Sequence, residues 1–285
     1  MAGGALSLAL GLVGVAGCSL LGGSFKPVVA TPEMARAGLE SRFAELANRK
    51  TGGALRIHYV VAGDASRPAV LFVHGSPGTW EAWRGYLESP ELRGRARLLA
   101  LDRPGFGASA RGHAEVALAR QAEACVAVLD AERVRRAIVV GHSLGGPIAA
   151  ELAADHPERV AGLVLVAPSI DPGLERHRWF NVAGSMMAVQ WFLPIDFITS
   201  NREIWPLRPQ LRALEPRLAH LPMPTIVLQG ERDTLVSPAN ADYAEHAFPA
   251  GRVDVRRLPG ATHFVVWQDP AVVERAILDL LVGNG

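Results

Sequence analysis

Cysteine is nearly missing: Cys18 and Cys125 are the only two in 285 residues, so no disulfide framework holds this chain and its stability has to come from a core. Lysine is as scarce, with Lys26 and Lys50 set against 27 arginines. The arginines are scattered, which reads as compositional bias rather than as an anion-binding patch. A surplus of charge of one sign is also lacking. Lys plus Arg is 29 and Asp plus Glu is 28, so there is no long-range field to draw the chain onto polyanions, and nucleic acid is excluded as an expected partner. There is no H-E-x-x-H helix, no Cys/His cluster and no G-x-x-x-x-G-K loop, so neither a metal nor an organic cofactor is expected. Repeats and low-complexity tracts are missing too, which argues against a solenoid. What remains is an apolar share of 49% with 20% charged residues in a length that suits one sizeable core.

Met1 to Phe25 contains no charged side chain. Its apolar run from Ala5 to Leu21 is short and glycine-rich for a spanning helix and reads as an export signal, with an uncleaved membrane anchor as the alternative. Val15-Ala16-Gly17-Cys18 resembles the lipobox of bacterial lipoproteins, which implies a signal over residues 1–17 and a lipid-bearing Cys18 at the mature terminus. The departure is the missing Lys or Arg ahead of Leu6. The expectation is an extracytoplasmic chain, lipid-anchored to a bacterial membrane, in the periplasm or at the cell surface. Residues 18–53 are expected to form a tether and an amphipathic helix. Thr31-Pro32-Glu33 looks like an N-cap, a first-turn proline and a dipole-facing acid. Leu39, Phe43 and Leu46 then recur at helical spacing to about Ala47, a stripe for the main domain or for a lipid surface.

From Ala54, apolar runs of strand length alternate with helical patterns: Leu55 to Val61, Ala69 to Val73, Arg97 to Leu101, Ala137 to Val140, Leu163 to Val166, Thr225 to Leu228 and Val253 to Arg257. Such alternation predicts an α/β protein with a mostly parallel sheet covered by helices. Between Ala114 and Ala131 a helix is expected to bury Cys125 as a small core residue. The break in the pattern is 170–222, rich in aromatics and proline and patterned for helices, read as a cap inserted into a core formed by 54–169 and 223–285. Most of its large apolar residues, among them Trp179, Met186, Met187, Trp191, Phe192, Phe197 and Trp205, are expected to pack on the core. Some, with Trp179 and Trp191 foremost and Trp80 beside them, are expected to wall an apolar substrate pocket.

The strand Ala137 to Val140 runs into Gly141-His142-Ser143-Leu144-Gly145-Gly146, a sharp G-x-S-x-G turn followed by a helix start. Glycines on both sides of Ser143 are needed where strand and helix backbones pass closely, and the turn lifts the serine hydroxyl off the sheet. A serine needs a base and an orienting acid to become a nucleophile. Asp233 follows the strand Thr225 to Leu228, and His263 follows the strand Val253 to Arg257, giving the chain order serine, acid, histidine. Asp171, just beyond Val166, is the alternative acid. The strand Ala69 to Val73 opens into His74-Gly75-Ser76-Pro77-Gly78. There the backbone N–H of Ser76, with that of Leu144, is positioned as an oxyanion hole. The turn Asp102 to Ser109 reads as structural, and His74 and His142 as groups that orient their own loops.

Taken together, His74-Gly75-Ser76-Pro77-Gly78, Asp102-Arg103-Pro104-Gly105-Phe106-Gly107-Ala108-Ser109, Gly141-His142-Ser143-Leu144-Gly145-Gly146, Asp233 and Gly260-Ala261-Thr262-His263 resemble the α/β-hydrolase family over Ala54 to Val282. The resemblance implies the α/β-hydrolase fold and a serine hydrolase with Ser143, His263 and Asp233 as catalytic triad. Dehalogenases and epoxide hydrolases of this family carry aspartate where Ser143 stands. The expected reaction is cleavage of a small apolar carboxylic ester through an acyl-enzyme. An amidase or aminopeptidase, a carbon–carbon bond hydrolase, and a non-catalytic binding protein remain as alternatives.

Overall fold

The computed structural model describes residues 27–47, 52–177 and 179–283; the expected signal and Cys18 lie outside these. Eight strands, β1 (Glu40–Ala47), β2 (Ala54–Ala62), β3 (Ala69–Val73), β4 (Arg97–Leu101), β5 (Ala137–His142), β6 (Val160–Val166), β7 (Thr225–Gly230) and β8 (Val253–Leu258), form one sheet in the order β1-β2-β4-β3-β5-β6-β7-β8. Pairing is antiparallel from β1 to β2 and from β2 to β4, and parallel from β4 onward.

The central strands are buried on both faces, which explains their unbroken apolar runs. Successive residues go to opposite sides. Leu71, Leu99, Val139, Leu163 and Val227 pack with α2 (Leu118–Ala131) and α3 (Gly145–Asp155), while Phe72, Leu98, Val140, Val164 and Leu228 pack with Trp83, Tyr86 and the C-terminal helix. Cys125 is fully buried on α2, and burial pushes its thiol up to about 12. Between β6 and β7 the chain forms four helices, α4 (Trp179–Ser185), α5 (Met187–Gln190), α6 (Ile195–Ile204) and α7 (Leu207–Leu218). Helices α8 (Asn240–Ala247) and α9 (Pro270–Gly283) follow β7 and β8.

The expected amphipathic helix to Ala47 is corrected. Only α1 (Pro32–Arg36) is helical; Thr31 caps it through its hydroxyl on the Met34 amide at 3.1 Å. Gly38, at a φ of 66°, and the Leu39 amide returning to Met34 at 2.9 Å stop it. The following residues are β1, an edge strand in register from Glu40 on Val61 to Ala47 on Ala54. Ala44 and Leu46 face the core, whereas Phe43 lies on the other face, under the Arg56 guanidinium at 3.9 Å. The spacing of Leu39, Phe43 and Leu46 therefore joined a turn and two faces of one strand, and the core sheet begins at Glu40 rather than Ala54.

The cap aromatics are a second correction. They do not mainly pack on the core: Trp179, Met186, Met187, Trp191, Phe192, Phe197 and Trp205 are all exposed.

Candidate active site

Every residue expected to do chemistry sits at the carboxyl edge of the parallel strands, where open α/β sheets collect their sites. β5 ends in the elbow, and Ser143 there has a left-handed φ of 54°. Such a backbone strains a residue with a Cβ and persists only where its surroundings enforce it. Here the enforcement is close packing. A Cβ on Gly141 would lie 2.3 Å from the Gly145 carbonyl oxygen, and one on Gly145 would lie 2.3 Å from the carbonyl oxygen of Val73. The Ser143 amide is held by the Val166 carbonyl at 2.9 Å, and α3 begins two residues later. Leu144 thus stands at the positive end of a helix with its side chain buried.

The loop after β3 crosses directly over the elbow: a Cβ on Gly75 would be 3.1 Å from that of Ser143. His74 fixes this loop. Its Nδ1 donates to the Gly75 carbonyl at 2.7 Å and its Nε2 accepts from the Arg103 amide at 3.0 Å. Burial, reinforced by the Arg103 charge, holds His74 well below the ordinary histidine range, so the ring is neutral.

The Asp233 and His263 side chains meet. His263 Nδ1 donates to Asp233 Oδ2 at 2.7 Å, with both residues buried. The other Asp233 oxygen accepts the amides of Leu235 and Val236, each at 2.8 Å, so the carboxylate is anchored by backbone as well as by the imidazole. Asp171 instead accepts the Gly173 amide at 2.6 Å within its own turn. Next to Ser143, His142 donates from Nε2 to the His263 carbonyl at 3.0 Å, and the two rings lie 4.9 Å apart. The elbow and the histidine loop are therefore tied through their neighbours. Burial, then the nearby His263, lowers His142 to about 3.

Trp80, expected as a pocket wall, is corrected. It is 0% exposed, packed in the core with its indole N–H on the Val28 carbonyl at 3.0 Å, so it offers no surface to a substrate. Trp179 and Trp191 are 73% and 84% exposed.

Two polar networks had no local signal in the sequence. Beneath the loop after β3, Arg103 and Glu203 form a fully buried pair with N–O distances of 2.8 and 2.9 Å. Arg103 also reaches the Gly75 carbonyl at 2.9 Å, and Gln121 donates to Glu203 at 3.0 Å. The Ser76 hydroxyl bonds Ser200 at 2.8 Å and also Glu203. Helix α6 thus grips Ser76, in the loop that crosses over the elbow. Farther along the sheet, Asp102 accepts the amides of Trp80 and Ala108 at 2.8 and 2.9 Å and the His58 ring at 2.8 Å. His58 is bonded in turn to Ser41 at 2.8 Å. Asp102 to Ser109 is accordingly a structural turn.

The eight-stranded sheet, the serine elbow and the Asp233–His263 pair define this chain as a protein of the α/β-hydrolase fold. Residues 68–202 match the family model described as alpha/beta hydrolase fold. Among curated relatives, the chain is 29% identical over 222 residues to a pimeloyl-[acyl-carrier protein] methyl ester esterase of Aeromonas hydrophila, covering 65% of this chain and 85% of that one. It is 34% identical over 117 residues to epoxide hydrolase 4 of Mus musculus, covering 39% and 31%. Several curated relatives are matched over only 30% to 47% of their length. A solved structure titled as a membrane phospholipase A, a novel bacterial virulence factor, superposes with a TM-score of 0.67 at 25% identity, covering 97% of this chain and 96% of that one.

Proposed function

We propose that this chain is a serine hydrolase that cleaves carboxylic esters through an acyl-enzyme on Ser143. The carrying observation is the 2.7 Å bond that fixes the His263 ring on Asp233 beside the serine elbow. With Nδ1–H committed to the carboxylate, Nε2 is the free base. It takes the Ser143 proton as the oxygen attacks the ester carbonyl, and returns it to the leaving alkoxide. Asp233 holds the ring in place and stabilises the imidazolium. The Ser76 and Leu144 amides receive the oxyanion, each such donor contributing about 3 kcal/mol. Water activated by His263 then releases the acid and restores the serine.

Serine where the epoxide-opening relatives need a carboxylate favours ester over epoxide chemistry, and the methyl ester esterase match supports an ester substrate. Fluorophosphonate labelling of the full chain, absent in Ser143→Ala, is the expected result; an unlabelled wild-type protein would overturn the reading. Faster turnover of aminoacyl amides than of esters with graded acyl chains would move the assignment to an amidase.

We also propose that Cys18 carries lipid and holds the hydrolase to an extracytoplasmic membrane face. Mass spectrometry of the mature N-terminus should find acylated Cys18, and an intact Met1 there would refute it.

A further inference from the structure

Helix α6 is packed inside out. Against the core it buries four polar residues, Asp196, Thr199, Ser200 and Glu203, with Ile198 the one apolar side chain among them, and it leaves Ile195, Phe197 and, just past its end, Trp205 exposed. Amphipathic helices of water-soluble proteins do the reverse. Helix α4 is attached to α6 through Asn181, which donates its side-chain amide to the Asn201 side chain at 3.0 Å, and α4 leads directly into α5. From Trp179 to Ile195 the sequence holds no charged residue. Met187 is 78% exposed and Phe192 88%. An apolar surface of this concentration marks an interaction site rather than an ordinary solvated face.

The charges around it decide the partner. Both carboxylates of α6 are turned inward and neutralised, Asp196 on Arg111 at 2.5 Å and Glu203 on Arg103 at 2.8 Å. Arg176 and Arg202 are exposed and form no ion pair among the described residues. Exposed Trp, Phe and Met with exposed arginines on the flanking segments, and the acids of α6 withdrawn, is the pattern of a segment that lies in a membrane interface carrying anionic headgroups.

We propose that the outer face of α4, α5 and α6 docks on a lipid bilayer with anionic headgroups. The same α6 holds the Ser76 loop with its inner face, so docking sets the roof of the serine site at the bilayer surface. Resting on the ester reading above, this makes lipid-dispersed esters the substrate class.

The full chain is mixed with vesicles of brominated phosphatidylcholine and phosphatidylglycerol, and quenching of tryptophan fluorescence is read. Trp80 and Trp83 are too deep in the protein to be reached, so quenching reports exposed rings such as Trp191. The wild type should be quenched, less so at high salt, and Met187→Glu/Phe192→Glu should lower quenching about threefold, even if the N-terminus still holds the protein on the vesicle. Equal quenching of the two proteins, or none in the wild type, overturns the proposal. An unquenched wild type that is dimeric, and made monomeric by the same substitutions, would assign the face to a second copy of the chain. The quenching needs no turnover, so it fails or succeeds separately from the ester reading. If both hold, the variant loses activity on vesicle-dispersed ester and keeps it on a soluble short-chain ester.

Discussion

Replacing Glu203 by leucine tests most directly how the cap is fastened to the site. The Arg103 and Glu203 side chains are each about 1% exposed, so loss of the acid strands a cation where water does not reach. Breaking a buried pair from one side costs about 3–5 kcal/mol. The Gln121 side chain and the Gly75 carbonyl still bond Arg103 at 2.5 and 2.9 Å. They keep the cost near the lower end, about 3 kcal/mol, which for a domain of this size lowers Tm by roughly 6–12 °C. Arg103→Met should cost a similar amount by leaving Glu203 unpaired. The double variant Arg103→Met/Glu203→Leu removes both charges and should be more stable than either single one, giving a coupling of at least about 2 kcal/mol in urea unfolding. Hydrolysis of a soluble ester should still fall about tenfold in the double variant, because Ser76 has lost its anchor. Additive losses, or a Tm change under about 2 °C for Glu203→Leu, would refute the claim that this pair joins cap and core.

Three further outcomes follow from the geometry. Ser143→Gly relieves a left-handed backbone at a residue with a Cβ and should raise stability by about 1 kcal/mol while abolishing turnover; lower stability by calorimetry would show the strain to be absent. His142, depressed to about 3 in the folded chain, is protonated far more readily when unfolded. Stability it contributes is whole above about pH 6.5 and is lost as pH falls toward 3, amounting to about 2 kcal/mol by pH 5, with buried His74 acting in the same direction. Urea midpoints at pH 7 and 5 should differ accordingly, and His142→Asn should shrink the difference; an unchanged difference would count against it. Cys125, buried with its thiol pushed to about 12, should resist iodoacetamide at pH 8 in the folded protein and react in urea, read on its tryptic peptide; labelling without denaturant would contradict its burial.

The parallel core was legible because its strands have no choice of face. β3 and β4 fall at Ala69–Val73 and Arg97–Leu101, where an apolar run of strand length reads. The elbow was equally legible, since the chemistry that lifts a serine off a sheet demands glycines at fixed offsets. β1 was not: one face is half-covered by Arg56, so Phe43 sits out of step with Ala44 and Leu46 and mimics a helical stripe. Whether the cap tryptophans pack or protrude is decided by how α6 is turned, and α6 is turned by Glu203 meeting Arg103, 100 residues away. No local pattern encodes that meeting. The chain order already put Asp233 ahead of Asp171 although both follow strand ends, and it is Asp233 that bonds the His263 ring.

Ser41, His58 and Asp102 form an unbroken relay, hydroxyl to imidazole to carboxylate, with both links at 2.8 Å. On distance alone it qualifies as a hydrolytic triad. Yet Ser41 lies within regular strand, without the left-handed backbone of Ser143, and His58 is wholly enclosed. The relay serves as a brace that pins the first hairpin to the turn at Asp102. A search keyed only to a hydroxyl, an imidazole and a carboxylate in line would return this relay. Backbone contortion and spare amides, rather than the alignment of the trio, separate a reactive alcohol from a rivet.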